Sequence, residues 1–416
     1  MSDRPPSPFP TSRQAAWLVA FMWVAYFLNY CDRQAVFAMF PSLHADLGMS
    51  DKQLGFVGTA FLWVYGFGCP IAGQLGDRFS RRVLVALSLA LWSVITIATG
   101  FAFSATMMLI LRAVMGITES LYMPTAIALT ANAHPPQLRS RAIATLTTAQ
   151  IVGTVAGSWF GGWMADRGLW RGAFFSLGAV GVLYALPYFL FLRTVNDRPA
   201  DPAPPEDLAI GELLQVPSFL LMCATFPVFV FGLWLIYGWF PTFLHNKFSL
   251  NQADAAFNAT VYLQGATFIG LLAGGFLADA LFHRTKAARL WLLVTSFLLC
   301  APCLVAMGAS ASLAATRLSA AGFGLFAGLL QGNIFPAAFE VAPARTRSSA
   351  VGALNFFGAI VSGFATLFGG FWQASLGIDR LLSFTAVAYL IAGLLLIAGI
   401  RVFFRRDYER IHSLSP

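Results

Sequence analysis

The sequence has 416 residues, of which 58% are hydrophobic and 11% charged, with a formal net charge of +8 and a mean hydropathy of +0.71. A water-soluble domain carries roughly 25% charged residues, so this composition excludes a soluble globular protein and requires a surface that faces lipid. The basic excess is spread in the manner of membrane topology, so a lipid bilayer is the expected partner and nucleic acid is not.

The chain opens on a polar, Pro-rich segment, Arg4 to Pro10. The first apolar run, Trp17 to Phe40, is long enough to span a membrane. It lacks a small-residue cleavage site and contains Asp32 and Arg33, so a cleavable signal peptide is not expected. A helix needs about 20 apolar residues to cross the hydrocarbon core. Runs of that length predict helices near 16–38, 53–76, 82–103, 106–131, 141–166 and 172–193. The segment 194–213 begins Thr-Val-Asn-Asp-Arg-Pro-Ala-Asp-Pro-Ala-Pro-Pro-Glu-Asp, which no helix can cross. Further helices are predicted near 217–242, 254–281, 288–309, 313–338, 346–373 and 380–404. The expected fold is an all-α integral membrane protein with twelve transmembrane helices in two pseudo-symmetric six-helix bundles. These are residues 1–193 and 214–416, joined by a cytoplasmic linker over 194–213.

Lys and Arg concentrate in cytoplasmic segments of membrane proteins. With both termini inside, eighteen of the 26 basic residues fall inside, and five (Lys52, Arg167, Arg171, Lys247 and Arg380) fall outside. Arg33, Arg112 and Arg317 lie within helices. The halves also resemble each other. Gly73-Gln-Leu-Gly-Asp77 matches Gly274-Gly-Phe-Leu-Ala-Asp279, Arg139-Ser-Arg141 matches Arg345-Thr-Arg347, and Gly161-Gly162 matches Gly369-Gly370, at offsets of 202, 206 and 208 residues. Parallel repeats of this kind build carriers that rock around a central site. The five cysteines, Cys31, Cys69, Cys223, Cys300 and Cys303, all sit in apolar runs and read as small buried hydrophobes. Cys300 and Cys303 have C-x-x-C spacing without a partner pair or His nearby, so neither metal nor redox chemistry is expected there.

At Gly73-x-Leu75-x-Asp77-Arg78-x-x-Arg81-Arg82 the chain resembles the major facilitator superfamily, whose loop between helices 2 and 3 carries this motif. Asn29-Tyr30-x-Asp32-Arg33 in helix 1 and Arg112-x-x-x-Gly116-x-x-Glu119 in helix 4 are similar to the anion:cation symporter branch, which includes sugar-acid permeases. Trp239-Phe-Pro241-Thr-Phe-Leu in helix 7 and Gly352-Ala-Leu-Asn355 in helix 11 resemble that branch too. Spinster-like lipid transporters share the Asp-Arg pair and the helix 4 pattern. The Asp-Gly-x-Asp usual in aromatic-acid permeases is missing from helix 1.

Four charges fall well inside predicted helices. A charge at the bilayer centre costs about 2.5–3.5 kcal/mol on insertion scales, so it faces a partner or a wet cavity. Arg112 and Glu119 are seven residues apart, which returns them to one face about 10 Å apart along the axis. Asp32 and Arg33 point about 100° apart on helix 1, so one can reach helix 4 while the other reaches a ligand. Read structurally, these are buried salt bridges pinning helix 1 to helix 4. Read functionally, two cations hold an anion and two carboxylates carry protons. The resemblance implies roles: Arg33 binds a substrate carboxylate, Asp32 and Glu119 are proton sites, and Arg112 shuttles between carboxylates. It also implies that Tyr30, Tyr65, Gln150 and Asn355 donate hydrogen bonds to substrate, against which helix–helix hydrogen bonds stand as the rival reading. Asp77, Arg78, Arg81 and Arg82 read as a conformational latch at the cytoplasmic helix ends. Arg317 is expected to snorkel to the outer interface, and Glu340 to pair with Arg345 or Arg347.

The expected activity is proton-coupled symport of a small organic anion, a sugar acid or other carboxylate, by a monomer in the plasma (bacterial inner) membrane. The alternative is a spinster-like carrier of lysolipids. No cofactor besides the coupling proton is expected. A receptor would bring a sizeable soluble domain, and an enzyme would need a His, Ser or metal cluster within the helices, which the sequence does not offer.

Overall fold

In lipid the backbone can satisfy its polar groups only within the segment, so each long apolar run closes into a helix. The computed structural model describes residues 12–195, 210–342 and 346–413. In chain order the helices are α1 (Ser12–Ala38), α2 (Phe40–Leu47), α3 (Asp51–Arg78), α4 (Arg81–Gly100), α5 (Ala105–Ser120), α6 (Tyr122–Ala133), α7 (Pro136–Ala165) and α8 (Trp170–Leu192). After the linker come α9 (Ile210–Leu213), α10 (Pro217–Phe248), α11 (Gln252–Phe282), α12 (Ala288–Ala309), α13 (Leu313–Glu340), α14 (Arg347–Leu376) and α15 (Ile378–Gly399). A π-helical turn (Ile400–Phe404) leads into α16 (Arg405–Ser413). Among the described residues, eleven segments are long and apolar enough to cross a membrane. The thirty-residue α7 is equally long but carries Arg139, Arg141, Gln150 and several threonines. The chain is an all-helical integral membrane protein.

Three features depart from the sequence expectation. The predicted helix over 106–131 is two helices, α5 and α6, meeting at Leu121. Pro124 is the cause, since it has no N–H to offer the Ser120 carbonyl and its ring crowds that turn. The connection between α1 and α3 holds α2, which starts with Pro41 in its first turn and stops at Gly48, whose φ of 62° suits glycine. The last helix does not end at residue 404 but continues through the π-helical turn into α16.

The chain packs as two units, one of Met1–Gly48 with Trp63–Pro204 and one of Met49–Leu62 with Pro205–Pro416. In the first, α1 packs on α7 and α4 on α8; in the second, α10 packs on α14 and α12 on α15. These pairs correspond under the sequence repeat. Trp239 of α10 shows how α14 receives it: its Nε1 donates to the Thr366 carbonyl at 2.9 Å, and a Cβ at Gly369 would collide with the indole. Residues 196–209 of the Pro-rich linker and Arg345 lie outside the described residues, as do the side chains of Asp77, Arg78 and Arg347.

Candidate functional site

The site is built on a seam of small residues. Gly153, Gly157 and Gly161 recur every four residues along α7, and a Cβ at each would meet the α1 backbone at Phe27, Cys31 and Ala35 respectively. Only glycine permits this approach, which presses α1 onto α7 and fixes the rotation of α1. Tyr26, Tyr30 and Arg33 then follow one another along one side of α1, at intervals of four and three residues.

Arg33 is the hub. Its Nη2 lies 2.6 Å from Glu119 Oε2 on α5, and its Nε donates to the same oxygen at 3.2 Å. Nη2 also donates to Asn29 Oδ1 at 3.3 Å. The guanidinium carbon lies 4.7 Å from the Tyr30 ring centroid and 4.8 Å from that of Tyr65 on α3, within cation–π range. Asp32 turns away from Arg33 and accepts a hydrogen bond from Thr96 Oγ1 of α4 at 3.0 Å. Among the described residues its Oδ1 has no hydrogen-bond partner. Arg112 donates from Nη1 to Met115 Sδ at 3.2 Å and lies in the field of Glu119, Arg33 and Asp32. Exposures of 2% for Asp32, 4% for Arg33, 0% for Arg112 and 1% for Glu119 place none of the four against acyl chains. Two cations and two carboxylates share one interior cluster, in which desolvation makes each charge depend on its partners.

The first unit thus gathers Tyr30, Asp32, Arg33, Tyr65, Arg112 and Glu119. It is Arg33, rather than Asp32, that reaches α5, and Asp32 reaches α4. Gln150 stands beside this group on α7, where its Oε1 accepts from Tyr26 at 3.1 Å. Asn355 lies on α14 in the second unit and is exposed. Arg81 opens α4, and Arg82 donates to the Val195 carbonyl at 2.7 Å, tying α4 to the end of α8. Arg317 does more than snorkel: its Nε donates to Asn258 Oδ1 at 2.6 Å, because α11 presents that amide at the same depth. Glu340 pairs at 2.6 Å with Arg289, which also approaches Asp279 at 3.6 Å.

Sequence reasoning missed Tyr26, Thr96 and the Trp23 Nε1 to Thr148 Oγ1 hydrogen bond of 2.9 Å. A signal for Tyr26 was present, since it precedes Arg33 by seven residues, the same spacing that joins Arg112 to Glu119. Thr96 offered none, because a threonine in an apolar helix more often bonds its own backbone, as Thr96 also does with Trp92 at 2.9 Å.

A family model described as Major Facilitator Superfamily matches residues 22–366. The chain is 24% identical over 277 residues to a hexuronate transporter of Bacillus subtilis, covering 64% of this chain and 65% of that protein. It is 30% identical over 292 residues to a probable sulfoacetate transporter of Cupriavidus necator, covering 66% and 67%. The alignments thus span about two thirds of these relatives' lengths. A bacterial homolog of the human lysosomal transporter Spinster, crystallised in an inward-facing and occupied conformation, matches 96% of this chain and 99% of its own with a TM-score of 0.82 and 21% identity. At that identity the likeness is one of fold. With the family model spanning most of the helices described above, the chain belongs to the major facilitator superfamily.

Proposed function

We propose that this protein carries a small organic anion, a sugar acid or other carboxylate, across the bacterial inner membrane together with protons, by alternating access. The observation that carries the reading is the Arg33–Glu119 contact, 2.6 Å between two buried side chains and flanked by two tyrosine rings. A ligand carboxylate presents the same two oxygens as Glu119 and competes for the same guanidinium edge. A proton on Glu119 cancels its charge and releases Arg33 to the ligand; loss of that proton re-forms the pair and expels the ligand. Arg112, buried in the same cluster, compensates whichever carboxylate is charged, and Asp32 is the second proton site. Tyr30, Tyr65, Gln150 and Asn355 supply hydrogen bonds to the rest of the ligand. Asp77, Arg78, Arg81 and Arg82 act as a latch at the cytoplasmic helix ends, both termini are cytoplasmic, and the working unit is a monomer. The named substrates of the relatives, hexuronate and sulfoacetate, are carboxylate-bearing anions and support this class.

A lysolipid carrier is the second reading. It is favoured by the fold shared with the Spinster homolog and by 29% identity over 245 residues to a spinster homolog of Bos taurus. A thermal-shift screen of the purified protein against sugar acids, simple carboxylates and lysolipids separates the two. A ligand stabilises the folded state by mass action, so carboxylates should raise Tm and Arg33→Ala should abolish that rise. Stabilisation by lysolipids alone would overturn the anion reading.

A further inference from the structure

The last spanning helix does not stop where its apolar run stops. Phe404, Asp407 and Ile411 share one face of the extension, spaced three and four residues apart, and all are buried. Asp407 pins this face down. Its Oδ2 accepts from the Ser218 backbone N–H at 2.9 Å and from Ser218 Oγ at 2.7 Å, at the start of α10, where the first N–H groups of a helix lack intrahelical partners. The outward face carries Arg405, Arg406, Glu409 and Arg410, with Arg401 one turn earlier. The side chains of Arg405 and Arg406 are 90% and 68% exposed.

The position of these arginines along the axis matters. Leu390, Ile391, Leu394 and Leu395 form the exposed apolar side of α15, and Val402 and Phe403 continue it up to Arg405. An exposed apolar row that ends within about one 5.4 Å turn of clustered arginines marks the passage from acyl chains to headgroups. Arg405 pairs with Glu409 at 2.9 Å and Arg406 approaches Asp407 Oδ1 at 3.3 Å. Asp407 gives its Oδ2 to Ser218 and its Oδ1 to Arg406, so among the described residues of the turn and α16 four arginines stand against two carboxylates, Asp407 and Glu409. The charge there is positive, and the complementary charge at that depth of a membrane is a lipid phosphate.

We propose that the outward face of α16 and its preceding turn is a binding site for the phosphodiester headgroup of an anionic phospholipid, held in register by the Asp407–Ser218 contact. Guanidinium forks match phosphate oxygens in geometry as well as charge. Each arginine near an anionic surface strengthens binding on the order of fivefold, so three removed together should weaken it about a hundredfold.

The test uses the full chain in detergent, titrated with phosphatidylglycerol or with phosphatidylethanolamine of the same acyl chains, and reads bound lipid by native mass spectrometry. The wild type should retain phosphatidylglycerol preferentially, and soluble glycerol 3-phosphate should not displace it. The triple variant Arg401→Gln, Arg405→Gln, Arg406→Gln should lose that preference while its lipid-free Tm stays within a few degrees. Asp407→Asn, which keeps every arginine, should weaken binding by loosening α16. If the triple variant folds poorly, the wild type alone decides: its phosphatidylglycerol affinity should fall as salt rises. Equal retention of both lipids, displacement by glycerol 3-phosphate, salt-independent affinity, or unchanged binding by the triple variant would overturn the proposal.

Discussion

Glu119→Gln removes a charge while keeping the side chain's shape. On the proposed mechanism a ligand carboxylate displaces Glu119 from Arg33 in the wild type, breaking a 2.6 Å contact between buried groups. Hydrogen bonds to charged groups contribute about 1.5–3 kcal/mol net, and about 1.4 kcal/mol is tenfold in affinity. The neutral amide competes with only about 0.5–1.5 kcal/mol, so a difference of about 1–1.5 kcal/mol should tighten carboxylate binding about 5- to 12-fold. Stability should move the other way, because Arg33 loses its counter-charge; breaking a buried pair costs about 3–5 kcal/mol, and the amide oxygen that still accepts from Arg33 keeps the loss near the lower end. The pH dependence has a definite sign. Protonating Glu119 frees Arg33, so wild-type affinity for the anion should rise as pH falls, by at most about tenfold per pH unit for one linked proton. The variant should lose that slope. Isothermal titration at three pH values, paired with proteoliposome uptake, reads both consequences, with counterflow exchange retained and uphill accumulation lost. Weaker binding by Glu119→Gln, an unchanged pH slope, or accumulation against a gradient would refute the displacement mechanism.

Three further outcomes follow from the packing. Tyr26→Phe deletes the donor to Gln150 Oε1 and should raise KM for a hydroxylated acid about two- to tenfold, with kcat little changed; measuring Tyr26→Phe with Gln150→Ala tests the coupling, since the double variant should be no worse than Gln150→Ala alone. Gly157→Leu places side-chain atoms in the Cys31 backbone and should abolish the monodisperse peak in fluorescence-detected size exclusion, whereas Gly265→Leu, with nothing within 4 Å of its Cβ, should not. Arg289→Ala strips Glu340 of its 2.6 Å partner and should lower Tm, with Glu340→Gln in the same background restoring part of the loss.

The helices were legible because a lipid-spanning run leaves the backbone a single solution, and the start of α10 because Pro217 punctuates the chain; the short α2 between Pro41 and Gly48 was not, since it is no spanning run. The break at Leu121 was equally visible in Pro124, but the apolar run continues across it and hides the interruption. The charged cluster was legible as a set, since Asp32, Arg33, Arg112 and Glu119 are conspicuous in oil. Its pairing was not. Whether Arg33 or Asp32 turns toward α5 depends on how α1 is rotated, and the seam of Gly153, Gly157 and Gly161 against the α1 backbone sets that rotation through contacts more than a hundred residues away in sequence. The Arg317 partner was hidden for a related reason: Asn258 lies 59 residues away and comes into reach only through the packing of α11 on α13. Asp407 lies beyond the predicted end of the last helix at 404, and nothing local indicates that Ser218 is waiting for it.

The way Arg33 is held has a consequence for leakage. With tyrosine rings close by and Asn29 and Glu119 on one nitrogen, the guanidinium is a stationary post, and on the proposed mechanism it takes one planar oxyanion at a time. Internal acid and cargo are therefore exclusive tenants. On the proposed mechanism a vacant carrier would keep the post covered by its own acid and a loaded one would have parted with that acid's charge, so neither traveller would cross as an unaccompanied passenger.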